Sequence, residues 1–176
     1  MILIFTELLS NVNFVAMQHI IFLFTMILFS FTMASNQPVY HVPIQGTIDM
    51  GLPHYLQRII DQAESEEAAA IIFDIDTFGG RVDAATQMKD LILDSKVTTV
   101  AFINKRAISA GALISLSCDS IFMTAGASIG AATAVDLQGE KASEKVISYM
   151  REEMASTAEA NNRPRDVASA MVDEEL

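Results

Sequence analysis

The run Ala68 to Asp76, Ala-Ala-Ala-Ile-Ile-Phe-Asp-Ile-Asp, constrains the fold more than any other stretch, because its apolar residues come in succession rather than in alternation. Bounded by Gly79-Gly80, it reads as a central parallel strand covered on both faces. Segments of helical period flank it. Leu52 to Ala63 has Pro53 near its start and apolar residues at 52, 55, 56, 59, 60 and 63, while Asp61, Glu64, Glu66 and Glu67 form its solvated side. Val82 to Leu93 carries Val82, Ala85, Met88, Leu91 and Ile92 at the same spacing. Val39 to Ile44 precedes them as a strand leading to a turn at Gln45-Gly46, and Pro43 marks it as an edge. Val97 to Ile103 follows as another strand, with Asn104-Lys105-Arg106 as the turn after it. The order βαβαβ implies a largely parallel sheet with right-handed crossovers, hence an α/β domain.

After Ile103 the small-residue run Ala107 to Cys118 is expected to be a helix beginning near Ser109. Asp119 to Met123 reads as a short strand, and Thr124 to Ala132 as a loop whose small side chains let a backbone lie close to something. Val135 to Lys141 is polar. Ala142 to Ala160 has apolar residues at 142, 146, 149, 150, 154 and 158, a long amphipathic helix ending at Asn161-Asn162. Pro164 opens a last helix within Arg163 to Val172. The abrupt acidic end, Asp173-Glu174-Glu175-Leu176, is expected of a truncated chain, and no internal repeat is visible.

Length and charge exclude some functions. The 176 residues fit one domain with apolar content enough for a core. With 22 acidic against 11 basic residues and no basic cluster beyond Lys105-Arg106, nucleic acid is not an expected partner. Cys118 is the only cysteine and lies in an apolar run, so it reads as core packing rather than disulfide or metal ligand.

Met1 to Met33 holds a single charge, Glu7, and Ile20 to Met33 is almost wholly apolar. Residues 1–34 read as a signal peptide, with Thr32-Met33-Ala34 as a small-x-small cleavage site, or as an uncleaved anchor over Phe14 to Met33. Residues 35–176 are then the folded domain, exported and membrane-associated or extracytoplasmic. No Lys or Arg occurs before Arg58, so the usual basic flank of a signal is missing, and Met17 is a candidate start.

Ser109 stands at a strand-to-helix junction, where open α/β sheets hold ligands and where a helix start offers unpaired N–H groups. It fits a nucleophile, and on this stretch alone a plain N-cap explains it more simply. A base is needed. The histidines, His19, His41 and His54, all precede Ser109, which disfavours a Ser-His-Asp triad without excluding it. A lysine would serve if an apolar wall removed its water. Lys145 adjoins the Val146-Met150-Met154 stripe, whereas Lys141 is one turn earlier and exposed. Gly79-Gly80 fits either an oxyanion-holding backbone or a tight turn requiring positive φ.

Asp76-Thr77-Phe78-Gly79-Gly80-Arg81, Ile108-Ser109-Ala110-Gly111, Gly126-Ala127-Ser128-Ile129-Gly130-Ala131-Ala132 and Lys145, in that order, resemble the NfeD-type membrane-bound serine proteases, relatives of signal peptide peptidase A and the Clp proteolytic subunit. The likeness covers about Val39 to Val172. It implies a Clp protease/crotonase-like fold and a Ser-Lys dyad with Ser109 as nucleophile. Lys145, eighteen residues ahead of Arg163, would be the general base, and Gly79 or Gly80 with Ala110 the oxyanion hole. It implies no cofactor or metal, substrates that are hydrophobic segments of membrane proteins, stomatin-like ones in particular, and a homodimer or higher homo-oligomer. Phe78 and Ala125 stand where prolines are expected, and Arg106 is large and charged for a place just ahead of the nucleophile.

Three alternatives remain. A peptide-binding module of the same fold would not cut, and a crotonase-type acyl-CoA enzyme would not need Ser109 or Lys145. The strand end Asp74-Ile75-Asp76 resembles that of haloacid-dehalogenase-like phosphatases. There the match fails, because Phe78 occupies a Thr or Val position and no paired acidic motif for Mg²⁺ follows.

Overall fold

In a computed structural model, residues 16–24, 37–135 and 140–173 are described. Residues 16–24 form a helix, α1, with exposed side chains. The order after it is β1 (Val39–Ile48), α2 (Gly51–Ser65), β2 (Ala70–Gly80), α3 (Val82–Leu93), β3 (Thr99–Ile108), α4 (Ala110–Ser117), β4 (Ser120–Met123), β5 (Ser128–Gly130), α5 (Glu144–Ala160) and α6 (Arg165–Ala170). Residues 1–36 and 37–176 separate into two units. Among the described residues no helix is long and apolar enough to cross a membrane. The proposed cleavage site at Thr32-Met33-Ala34 and most of the Val135 to Lys141 segment lie outside the described residues.

The strands run parallel in the order β1-β2-β3-β4, and β5 pairs with β3. Because each strand sits beside its predecessor and crossovers are right-handed, α2, α3 and α4 all fall on one face. Ile71, Phe73, Ile75 and Thr77 of β2 point there and are buried, with Val42 and Ile44 of β1 and Ala101 and Ile103 of β3. They pack with Leu56 and Ile60 of α2, Met88 and Ile92 of α3, and Leu113 and Ile114 of α4. Each such large side chain contributes roughly 1.5–3 kcal/mol by leaving water.

The opposite face corrects the expectation of two covered faces. Ile72, Asp74 and Asp76 are only half-buried, and Phe122 is exposed. From Phe73 onward the run alternates apolar with acidic residues, and that alternation is the sequence record of the open face. Pro43 is on an edge strand as expected, although β1 continues past Gly46 through a register shift between Gln45 and Thr47.

The turn expected at Asn104-Lys105-Arg106 is instead part of β3. Ile75 pairs with Ile103 and Thr77 with Ala107, so β3 takes four steps where β2 takes two. The surplus residues bulge opposite Asp76, and the strand resumes because Arg106, Ala107 and Ile108 pair with Ser128, Ile129 and Gly130 of β5. The loop expected over Thr124 to Ala132 therefore contains a strand.

α4 is buried along its whole length. Its C-terminal carbonyls are closed by the turn after α5: Asn161 Nδ2 and Arg163 Nη1 donate to Leu116 O at 3.0 and 2.9 Å, and Arg163 Nη2 donates to Asp119 O at 3.1 Å.

Candidate active site

Ser109 joins β3 to α4 with φ 55 and ψ −116, a backbone conformation that side chains rarely adopt. It matches the first corner of a type II′ turn, about +60° and −120°. A non-glycine residue held so stores roughly 1–3 kcal/mol of strain, and its neighbours must over-determine it. They do. Ser109 N–H donates to Gly130 O at 2.9 Å, and Ser109 O accepts from Ala112 N–H at 2.9 Å. The side chain forms no capping hydrogen bond to its own helix, so a plain N-cap does not describe it. Such a strand–turn–helix elbow presents a hydroxyl at the sheet end.

Gly79 explains how the elbow is held. It has φ +103, and a Cβ there would lie 2.7 Å from Ser109 Cβ and 3.2 Å from Ala110 N. Only glycine fits. Thr77, fully buried, fixes the same turn: its hydroxyl donates to Gly46 O and accepts the Gly79 N–H at 2.9 Å. Gly79's amide is therefore engaged. Gly80 sits against β1, where a Cβ would come within 2.2 Å of Ile48 O, and Arg81 N–H donates to that carbonyl at 2.9 Å. Ala110 is buried as the first residue of α4, where N–H groups have no intrahelical acceptor. Gly111 lets the helix close on the strand, since its Cβ would meet Thr77 Cγ2 at 2.6 Å. Sequence reasoning passed over the roles of Thr77 and Gly130. A polar residue just ahead of Phe78-Gly79-Gly80 in a buried strand was the available signal for Thr77.

Lys145 is placed differently. The buried face of α5 is Ile147, Met150, Met154, Ala155 and Ala158, whereas Val146 is exposed. Lys145 precedes Ile147 by two residues, about 200° round the helix, and its side chain is exposed. The apolar wall expected from Val146-Met150-Met154 does not stand beside it. Lys141 is also exposed, and its residue bridges to Val135. α5 packs on α4, and Lys89 of α3 fastens it, bonding Glu153 at 2.8 Å and Asp90 at 2.7 Å. Burial pulls the Lys89 ammonium down, but those two carboxylates outweigh it and its pKa is raised.

A cleft of about 430 Å³ opens where the β3 bulge meets the 124–128 loop, and Phe78 and Ile108 belong to its wall. Arg106 Nε lies 3.0 Å from Asp76 Oδ1, and Lys105 Nζ lies 3.8 Å from Asp76 Oδ2. Asp74 meets His41 at 3.3 Å. The two aspartates of β2 are thus engaged by cations or an imidazole, and among the described residues no cluster of His, Cys, Asp or Glu is arranged for a metal.

A family model described as the N-terminal domain of NfeD1b matches residues 38–176. The chain belongs to this family. Membrane protein NfeD1b of Bacillus subtilis is 42% identical over 143 residues, which is 81% of this chain and 33% of that protein. Membrane-bound protease PH1510 of Pyrococcus horikoshii is 30% identical over 146 residues, 78% of this chain and 33% of that protein. The chain thus spans 33% of the length of each of these relatives. Among solved structures, a serine-to-alanine form of the 1510-N membrane-bound stomatin-specific protease superposes with TM-score 0.75 at 29% identity, covering 81% of this chain and 72% of that one. A lysine-to-alanine form in complex with a substrate peptide gives TM-score 0.75 at 29% identity, covering 81% and 68%. ClpP1 from Listeria monocytogenes, at 24% identity and TM-score 0.56 over 77% of this chain and 80% of that one, shares the fold. The architecture is Clp-protease-like α/β, and the relatives are named as membrane proteins, one of them a protease.

Proposed function

We propose that residues 35–176 form a serine endopeptidase that cuts hydrophobic segments of membrane-associated proteins, stomatin-like ones among them. Ser109 Oγ attacks the scissile carbonyl while the neutral amine of Lys145 takes its proton. The amide C–N bond breaks, Lys145 returns that proton to the leaving amine, and an acyl ester remains on Ser109. Water then attacks the ester with Lys145 as base, releasing the acid and restoring the serine. The amides of Gly80 and Ala110 hold the oxyanion, because Gly79 gives its own N–H to Thr77. One such donor contributes about 10²–10³ in kcat. The small residues of the 124–132 loop let an extended peptide approach backbone.

The observation that carries this proposal is the elbow at Ser109, whose strain has no structural use on its helix. Kinship with a membrane-bound protease supports it. So does the choice of a serine and a lysine as the altered residues in the solved stomatin-specific relative. The exposed Lys145 must lose its water for the chemistry to run, so a bound peptide or a second copy of the chain has to cover it. A homodimer or higher homo-oligomer, residues 1–34 as a signal peptide or membrane anchor, and freedom from cofactors belong to the same proposal.

The full chain should hydrolyse an apolar reporter peptide. Ser109→Ala should abolish the activity, and Lys145→Ala should lower kcat by about a hundredfold or more. Undiminished turnover in Lys145→Ala would refute the dyad. The exposure of Lys145 favours one competing reading, a peptide-binding module that does not cut. That module binds peptide equally with Ser109→Ala and shows no hydrolysis.

A further inference from the structure

The bulge in β3 places consecutive cations, Lys105 and Arg106, opposite the single carboxylate of Asp76. Arg106 approaches Asp76 through Nε, and its terminal guanidinium nitrogens form no hydrogen bond to another of the described residues. The guanidinium carbon lies 4.5 Å from the centroid of the Phe78 ring, which holds the fork in one orientation. Its side chain is 33% exposed and that of Lys105 is 63% exposed, so both remain within reach of a ligand. Two positive charges on one negative leave a local excess of one, in a chain whose net charge is −11.

That excess faces a built space. The cleft it lines includes Phe78, beside Gly79, and Ile108, beside Ser109, together with Ala125, Gly126 and Ser128, the last paired with Arg106 across the ladder. A wall of small residues that also carries a planar cation fits the side chain of an extended peptide, with its main chain passing the elbow. The overall acidity does not prevent this, since at physiological salt charges act over about 8 Å and the nearest ones dominate.

We propose that this cleft is a specificity subsite for a carboxylate side chain, so that the peptide held at Ser109 carries an Asp or Glu at one fixed place near the scissile bond. This rests on the peptide-handling role of Ser109 and names a further substrate feature. Arg106 forms the paired hydrogen bonds to the carboxylate, and Lys105 adds a more distant, salt-sensitive attraction.

The test separates recognition from chemistry by using the full chain carrying Ser109→Ala. Its affinity is measured for short apolar peptides, end-blocked and identical except that one position, moved along the peptide, is Glu, Gln or Lys. We expect Glu to bind about fivefold tighter than Gln at one position only, as for a partly exposed ion pair, with Lys weaker than both. Arg106→Gln should erase the preference, and Lys105→Gln, on a freely exposed side chain, should reduce it. Equal affinity for the three peptides at every position overturns the subsite, and cleavage by the unaltered chain would then leave the protease reading standing. A Glu preference together with no hydrolysis by the unaltered chain keeps the subsite and overturns the protease. Absence of binding to any peptide overturns both.

Discussion

Ser109 and Lys145, the two ends of the proposed dyad, sit in surroundings of different kinds. The serine is fixed from four directions: Gly79 leaves just the room its Cβ needs, Gly130 accepts its amide, Thr77 pins the glycine turn, and Gly111 lets α4 close on β2. The lysine rides the first turn of a helix whose buried face points the other way. Strain at the elbow is sustained because the packing around it permits no alternative. Among the described residues nothing fixes the exposed Lys145 amine, so in the proposed dyad its placement is left to whatever binds. The proposed nucleophile stands on a preformed elbow, and the proposed base is conditional.

That contrast can be broken most sharply by moving a single methyl group. Gly79→Ala places a Cβ against Ser109 at a positive φ and should cost about 3 kcal/mol or more in denaturant unfolding, whereas Lys145→Ala should stay within about 0.5 kcal/mol. Equal effects would erase the distinction. Thr77→Val leaves Gly46 O and the Gly79 N–H without their partner, and should cost about 1–3 kcal/mol. Its hydrolysis rate should fall further than its stability explains, as the Gly79-Gly80 turn loosens.

Behind the elbow, Cys118 follows the last residue of α4 and is fully buried, its Sγ 3.4 Å from Ile114 O. Burial pushes the thiol pKa far up, with nearby Arg163 opposing and Asp119 assisting. Below about pH 8.5 the thiol is protonated in both states and subtracts nothing. Above that the unfolded chain releases the proton and the folded one keeps it, so stability falls by about 1.4 kcal/mol per pH unit. At pH 10 the loss should be about 2 kcal/mol relative to neutral pH, and Cys118→Ala should lack that component. The smallest effect is a gain. Ser109→Gly frees the strained φ and should stabilise the fold by about 1 kcal/mol while ending hydrolysis.

The parallel sheet was legible because helical and strand periods alternate cleanly from Val39 to Met123. The Ser109 junction was legible because a β-branched run gives way there to small residues. The open sheet face was not, since Asp74 and Asp76 look like the end of a strand until the pairing of Thr77 with Ala107 shows that it continues. The bulge at Asn104-Lys105-Arg106 was hidden for a related reason: three polar residues signal a turn locally, and only pairing with Ser128 to Gly130 carries the strand onward. Lys145 shows the limit of spacing. Shifting the inferred apolar stripe of α5 by one residue, from Val146 to Ile147, turns the lysine from a walled site to water.

The most direct measurement is intact-mass and peptide-mapping analysis of the folded full chain after incubation with a fluorophosphonate, in the presence and absence of an apolar peptide. One adduct on Ser109, formed faster with peptide present and absent in Lys145→Ala, is the predicted result. A folded chain that gains no adduct on Ser109, with peptide or without, would contradict the preformed nucleophile.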